Sequence, residues 1–298
     1  MNPLREKTEY ILTRGFFAVL RCCPAPVIYG ACRGFAFLFY LLGIKRRDIT
    51  LKNLRLAYPE LSAKERRRIA RKAYDHFGQL IAESAMVLSG KITREGLQDL
   101  VDSSELHKLQ ALEESTEKGL LIITGHLGNF ELLAHYTGCQ MKKPGTVIFR
   151  RGSNRLIDDR IVTPLRQSFG NKVIYKSRAL PQIVRTLKKG NHVGMLIDIK
   201  TNSREGVPAV FFGNQTLAIK SSAYLQIKLG VPVVALSMVR IAPKKYKLVV
   251  LDPIHWEDDG RSINEQVADL TQRHHAEIET LIRQYPEQWL WMHDRWKR

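Results

Sequence analysis

The sequence is poor in cysteine and lacks the patterns that mark most metal-binding and nucleic-acid-binding proteins. Its four cysteines form no metal-ligand spacing and no even framework, so free thiols in a reducing compartment are expected. It has no zinc-finger spacing, aromatic RNA-binding signature or helix-turn-helix pattern, and no nucleic-acid partner is therefore predicted. The N-terminal stretch has no clean apolar core followed by small residues, so no cleavable signal peptide is predicted.

Acidic residues are also in short supply. The chain has 29 Asp plus Glu against 47 Lys plus Arg, which gives a formal net charge of +18. A charge of this size favours an anionic partner, either an anionic membrane surface or an acidic protein.

The N-terminal part is predicted to associate with a membrane. Residues 3–21 form an amphipathic pattern, and residues 27–44 are apolar apart from Arg33. The second stretch is just long enough to cross a bilayer, but its charge and its glycines weaken that interpretation. The basic residues at positions 45–47 belong on the cytoplasmic side. We predict membrane-associating helices over residues 1–47 and an α/β domain over 48–298, with a buried helical hairpin as the alternative to the former.

The rest of the chain alternates strand and helix patterns, which predicts an α/β fold with a mixed, mostly parallel sheet flanked by helices. The predicted strands lie at residues 120–123, 146–149, 172–175, 192–197, 231–239 and 247–251, and the predicted helices after the first strand include 154–169, 180–187, 217–229 and 263–284.

His126 is the strongest catalytic candidate. It follows the apolar run 120–123, and Asn129 is a plausible N-cap of the helix that comes next. Side chains at the carboxyl ends of strands in α/β sheets are placed for ligand binding. Gly125 and Gly128 allow a turn that brings Glu131 to the imidazole, where its carboxylate would orient His126 as a general base.

Other candidates lie on the same rim. Arg150 and Arg151 follow the strand 146–149, and a guanidinium there can bind a phosphate or stabilise an oxyanion. Arg160 and Arg166, in the next helix, are further candidates for that task. Asp198, which follows the strand 192–197, is predicted with Asn129 to bind substrate. A solvated arginine pair and a loop-anchoring aspartate are the structural alternatives.

Four blocks in order resemble the bacterial late lipid A acyltransferases, which have the glycerolipid-type acyltransferase fold. They are Gly-His-Leu-Gly-Asn-Phe-Glu at 125–131, Arg46 to Glu60, Phe211-Phe212-Gly213, and the ending Pro286 to Trp296. The blocks span most of the chain. Arg150 matches the arginine that follows this strand in the family. Asp198 resembles the first member of the family's Asp-Gln pair, whereas Ile199 departs from it.

The resemblance implies transfer of a fatty acyl chain from an acyl thioester, acyl carrier protein in the first place, to a hydroxyl of a lipid A precursor or related anionic glycolipid. His126 would act as the base and Glu131 as its partner, with no metal and no cofactor. The resemblance also implies the inner membrane, with the active site on its cytoplasmic face.

Three alternatives stay open at the level of sequence. The acceptor could be another glycolipid such as a phosphatidylinositol mannoside. The chain could be a non-catalytic basic membrane-binding protein of the same fold, which Ile199 mildly favours. A metal-dependent hydrolase using His126, Glu131 and His135 is the third, although no His-Glu-x-x-His pattern supports it.

Overall fold

A computed structural model of the protein describes residues 3–149, 151–177 and 179–297. Four consecutive helices form its N-terminal part. They are α1 (Pro3–Cys22), α2 (Ala25–Leu42), α3 (Ile44–Ala57) and α4 (Ala63–Leu88). The two predicted N-terminal helices are thus present. A capping box at Ser62 and Glu65 starts α4, with both of its reciprocal hydrogen bonds formed. Residue 47, the predicted boundary, lies within α3, and that boundary stays a prediction.

The chain continues into a seven-stranded sheet in the order β1-β9-β8-β2-β5-β3-β4. The neighbouring strands are parallel except β8 and β9, which pair antiparallel. The elements are α5 (Arg94–Gln98), β1 (Val101–Asp102), α6 (Leu106–Glu114), β2 (Leu121–Thr124), α7 (Phe130–Gln140), β3 (Gly145–Phe149), α8 (Arg155–Ile157), a π-helical turn (Asp158–Val162), α9 (Thr163–Ser168), β4 (Lys172–Tyr175), α10 (Ala179–Lys188), β5 (His192–Leu196), β6 (Gly206–Phe211), β7 (Asn214–Ile219), α11 (Ser221–Leu229), β8 (Val233–Ala242), β9 (Lys245–Val250) and α12 (Ile263–Gln284). The predicted α/β class, with a mostly parallel sheet between helices, is confirmed.

Strand β2 is buried on both faces because its side chains enter two different cores. Leu121 and Ile123 belong to one hydrophobic cluster, and Ile122 belongs to the other. Successive side chains of a strand point to opposite faces, so an uninterrupted apolar run fits only a strand covered on both sides. The strand predicted at residues 120–123 is therefore confirmed, and its carboxyl end lies in the middle of the sheet.

One predicted helix starts too early. The segment 217–219 belongs to β7, which forms a separate two-stranded hairpin with β6, and α11 begins only at Ser221. The hairpin turn lies at Phe212 and Gly213, whose φ angles of 52° and 70° are both positive. The exposed outer face of the hairpin weakens its apolar alternation, which is why the sequence pattern resembles a loop followed by a long helix.

Candidate active site

The turn between β2 and α7 carries His126. Asn129 caps α7 as predicted, since its Oδ1 accepts a hydrogen bond from the Leu132 amide at 2.9 Å. Gly128 has a φ of +60°, and a Cβ added there would lie 2.0 Å from the Met238 carbonyl oxygen. Glycine at position 128 is therefore required both by the backbone angle and by the close approach of β8.

The segment after α12 holds this turn from the other side. The Gly128 amide donates to the Gln288 carbonyl at 3.0 Å, and the Leu290 amide donates to the His126 carbonyl at 3.1 Å. Trp289 and Trp291 are buried in the core. The Trp-rich ending thus packs directly against the candidate catalytic residue.

The carboxylate that contacts the imidazole is that of Asp198. It follows β5, the strand next to β2, and its Oδ1 lies 2.8 Å from Nδ1 of His126. Its Oδ2 accepts the His126 backbone amide at 2.6 Å and the indole N–H of Trp289 at 2.7 Å. Asp198 is only 1% exposed, whereas the His126 side chain is 22% exposed. The aspartate is therefore an internal partner of the ring, and Nε2 stays available at the surface.

The charges of the pair stabilise each other. Burial opposes the charged imidazolium, but the Asp198 carboxylate and, to a smaller degree, Glu131 raise the pKa of His126 above its ordinary value. Burial also works against the aspartate anion, yet the charge of His126 and the hydrogen bonds from His126 and Trp289 lower the pKa of Asp198 to about 2. Asp198 is consequently ionised whenever His126 titrates.

Glu131 contacts a different residue from the one predicted. Its Oε1 accepts a hydrogen bond from Nη2 of Arg166 at 2.8 Å, and the Arg166 guanidinium lies 4.2 Å from the centroid of the Phe149 ring. Five residues separate His126 from Glu131, and the first turn of α7 directs the carboxylate towards α9. Glu131 therefore acts on His126 through its charge, while Asp198 supplies the hydrogen bond.

The two residues predicted to bind substrate are both buried. Asp198 uses its carboxylate for His126 and Trp289, as described above. Asn129 is 0% exposed and donates its Nδ2 to Glu83 of α4 at 2.6 Å. Both side chains make their contacts inside the protein, and their predicted role in substrate binding stays a prediction.

The predicted arginines are dispersed. Arg166 reaches Glu131, whereas Arg151 pairs with Asp159 at 3.0 Å and its guanidinium lies 4.1 Å from the Tyr175 ring centroid. Arg160 is an exposed residue of the π-helical turn. Arg150 lies outside the described residues, so its predicted role stays a prediction.

Several contacts of the turn have no clear signal in the sequence. Trp289 and Asp198 are 91 positions apart, and the alternating Trp pattern fits packing and a membrane belt equally well. His76 and Glu83 lie on one face of α4 at a seven-residue spacing, yet nothing local indicates that they contact the turn. Within the described parts of the chain, no cluster of three or more His, Cys, Asp and Glu residues could hold a metal ion.

These features define an α/β protein with a histidine–aspartate pair at the carboxyl ends of central parallel strands, a class suited to proton abstraction from a hydroxyl. A family model described as "Bacterial lipid A biosynthesis acyltransferase" matches residues 2–298. The chain belongs to this family, and it is an acyltransferase of the lipid A biosynthesis type.

Individual relatives share about a quarter of their residues with the chain. The lipid A biosynthesis lauroyltransferase of Escherichia coli (strain K12) is 26% identical over 285 residues, covering 92% of this chain and 86% of that protein. The lipid A biosynthesis palmitoleoyltransferase of the same organism is 27% identical over 257 residues, covering 85% and 80%. A lipid A biosynthesis acyltransferase of Shigella flexneri matches to the same extent.

Proposed function

We propose that the protein transfers a fatty acyl chain from acyl carrier protein to a hydroxyl of a lipid A precursor, with His126 as the general base. The observation that carries the mechanism is the contact between Nδ1 of His126 and the buried, ionised Asp198. This contact fixes the ring so that its N–H faces Asp198 and its lone pair on Nε2 faces the solvent side. The family and the relatives support acyl transfer in lipid A biosynthesis.

The reaction needs one proton to travel out and back. Nε2 takes the proton of the acceptor hydroxyl while the hydroxyl oxygen attacks the thioester carbonyl. The resulting imidazolium is stabilised by Asp198, and the tetrahedral intermediate carries the negative charge on the former carbonyl oxygen. Collapse of the intermediate forms the ester, breaks the carbon–sulfur bond and returns the proton from Nε2 to the departing thiolate. The chemistry requires no metal and no cofactor.

Arginine side chains are the proposed stabilisers of negative charge. Arg166 is held by Glu131, and its Nη1 is buried with no hydrogen-bond partner among the described residues. A guanidinium in that state is suited to an oxyanion or a phosphate of the acceptor. Arg150 is proposed for the same task from its position after β3, and Arg151 and Arg160 are proposed as weaker contributors to phosphate binding.

The proposed location is the cytoplasmic face of the inner membrane. Most of the exposed large hydrophobic side chains of the described chain lie between Leu4 and Ile44. Helix α2 is long and apolar enough to cross a bilayer by length and composition. However, it packs antiparallel to α4 along its length, with Tyr29 against Glu83 near one end and Tyr40 against Tyr74 near the other. We propose that α2 lies in the membrane surface with its outer apolar face among the lipids.

The catalytic proposal is tested by acyl transfer from labelled acyl carrier protein to a lipid A precursor in detergent. His126→Ala should abolish transfer with folding unchanged, because no other group replaces the base. If the wild type leaves this lipid unmodified but hydrolyses the thioester through His126, the proposed acceptor is wrong, whereas the catalytic role of the His126–Asp198 dyad is supported. If His126→Ala matches the wild type in both reactions, the catalytic proposal fails and a binding role replaces it.

The membrane proposal is tested with single-cysteine variants in oriented vesicles. One variant keeps Cys22, the last residue of α1 and three positions before α2, and the other carries Lys45→Cys beyond the end of α2, with all other cysteines replaced. A membrane-impermeant maleimide should label both from the cytoplasmic side. Labelling of the two positions from opposite sides would show that α2 crosses the bilayer.

A further inference from the structure

A buried carboxylate on α4 joins the active-site turn to the apolar helix α2. Glu83 is 0% exposed, and its carboxylate pairs with the guanidinium of Arg240 from β8 through two contacts, Oε1 to Nη1 at 2.6 Å and Oε2 to Nη2 at 2.7 Å. Isolated buried ion pairs contribute little net stability, because desolvation offsets the attraction between the charges. Stability therefore does not explain why this ion pair is present beside the active-site turn.

Each carboxylate oxygen of Glu83 accepts one further hydrogen bond. The Tyr29 hydroxyl of α2 donates to Oε1 at 2.9 Å, and Nδ2 of Asn129 donates to Oε2 at 2.6 Å. Four donors thus converge on one group, which is the full capacity of a carboxylate. A neutral amide at position 83 would offer one oxygen and would turn its own N–H groups towards donors.

Asn129 transmits this contact to the catalytic turn. Its amide group is oriented at both ends, since Nδ2 binds Glu83 while Oδ1 caps α7 at the Leu132 amide. It stands three residues after His126. Seven residues before Glu83, on the same face of α4, Nε2 of His76 lies 3.0 Å from the Gly128 carbonyl oxygen. Burial lowers the pKa of His76 to about 4, so its neutral ring donates this hydrogen bond.

We propose that Glu83 is a positioning residue that sets the geometry of the His126 turn through Asn129. Because Tyr29 of α2 also donates to Glu83, this geometry depends on the packing of α2 against α4. Glu83 touches neither the imidazole nor the position of the reacting atoms. Its effect on acyl transfer, which rests on the proposed function, is exerted through the placement of His126 relative to Asp198. Lifting α2 from α4 removes one of the four donors and loosens the carboxylate that holds the turn.

The decisive variant is Asn129→Ser, because serine keeps the N-cap and leaves the Glu83–Arg240 pair intact while it removes the donor to Glu83. We expect kcat to fall about 10²-fold with KM within about twofold, as for a misplaced catalytic group. Tyr29→Phe, which removes one hydroxyl, should lower kcat about fivefold, the size of effect expected for one typical hydrogen bond. Tyr40→Phe is the matched control on the same helix, and its activity should equal that of the wild type.

A second readout does not depend on the acceptor lipid. In histidine-labelled protein in detergent micelles, the His126 imidazole resonances, assigned with His126→Ala, should titrate at lower pH in Asn129→Ser than in the wild type, because the contact with Asp198 is loosened. The double variant Glu83→Gln with Arg240→Met removes both buried charges. It should show the same shift, and its thermal melt checks that it is folded.

The outcomes separate the two proposals. An Asn129→Ser protein with wild-type kcat and wild-type imidazole titration overturns the positioning role. An altered titration in a protein whose wild type transfers no acyl chain to the lipid leaves the positioning role intact and refutes the proposed acceptor.

Discussion

At the scale of single residues, the site depends on which carboxylate orients the base. Asp198 is the residue in hydrogen-bond contact with His126, whereas Glu131 is paired with Arg166. Asp198→Asn should lower kcat/KM by about 10³-fold or more, because an amide can hold the imidazole in the wrong tautomer. Glu131→Gln is the comparison variant, and in the same acyl-transfer assay it should lower kcat/KM by a smaller factor. A larger loss in Glu131→Gln than in Asp198→Asn would reverse the assignment.

The pH dependence of the reaction follows from the same pair. His126 acts as a base only when its ring is neutral, and its pKa is raised in the folded protein. Activity is therefore expected to be lost as the pH falls through this raised pKa, at a higher pH than for an ordinary histidine. In Asp198→Asn the acidic limb of the kcat/KM profile should move to lower pH. An unmoved limb in that variant would show that another group controls the ionisation.

Much of the site could be anticipated from local sequence, but the pairing could not. The apolar run before Gly125, the N-cap Asn129 and the following helix are local features, and each was predicted from neighbouring residues. The contact between His126 and Asp198 spans 72 positions and exists because β5 pairs with β2. Both residues were predicted on one rim, yet periodicity carries no information on which of two nearby carboxylates is hydrogen-bonded to the ring.

At the scale of elements, the turn between β2 and α7 is tightly constrained by its backbone angle and by the approach of β8. Gly128→Ala combines a positive φ with a Cβ placed 2.0 Å from a backbone carbonyl oxygen, so it should destabilise the protein by about 3 kcal/mol or more. The melting temperature and the rate of acyl transfer should both fall. Gly213→Ala is the control, because φ there is +70° but a Cβ would meet open space. Its cost should be about 1 kcal/mol, and equal losses in the two variants would contradict this explanation.

Capped helices and the strands of the main sheet were easier to predict than the β6–β7 hairpin. The bounds of α12 agree with the prediction, since a capping box at Ser262 and Glu265 marks its start. The β6–β7 hairpin was missed because it pairs only with itself, and its Phe212 adopts a positive φ that the residue type does not indicate. Local sequence specifies elements with caps and a periodic face, whereas a half-exposed hairpin depends on the surface against which it packs.

At the scale of the whole molecule, the excess of positive charge is concentrated on particular surfaces. One exposed face of α4 presents five cations without a hydrogen-bond or ion-pair partner in the described structure, namely Lys64, Arg67, Arg68, Arg71 and Lys72. This face leads along α4 towards His76, which contacts the active-site turn. An acidic protein that delivers the acyl thioester would be attracted to such a surface.

The charge of this face should therefore influence the acyl donor more than the chemistry. Arg68→Glu combined with Arg71→Glu should raise KM for acyl carrier protein about tenfold with little change in kcat. The difference in KM between this variant and the wild type should become smaller at high salt. Lys188→Glu with Lys189→Glu changes the net charge equally on another exposed surface and should leave KM near the wild-type value. If both pairs raise KM alike, the effect reflects overall charge, not docking at α4.

The hydrogen bond from Trp289 to Asp198 also determines when the site can be completed during synthesis of the chain. Asp198 and His126 leave the ribosome well before residue 289, yet the carboxylate has its full set of donors only once the indole is in place. A nascent chain that ends before Gln288 lacks the indole donor to Asp198. It also lacks the backbone hydrogen bonds that residues 288 and 290 form with the His126 turn. The full set of hydrogen bonds around His126 and Asp198 is therefore expected to form only after residues 288–290 have been added to the chain.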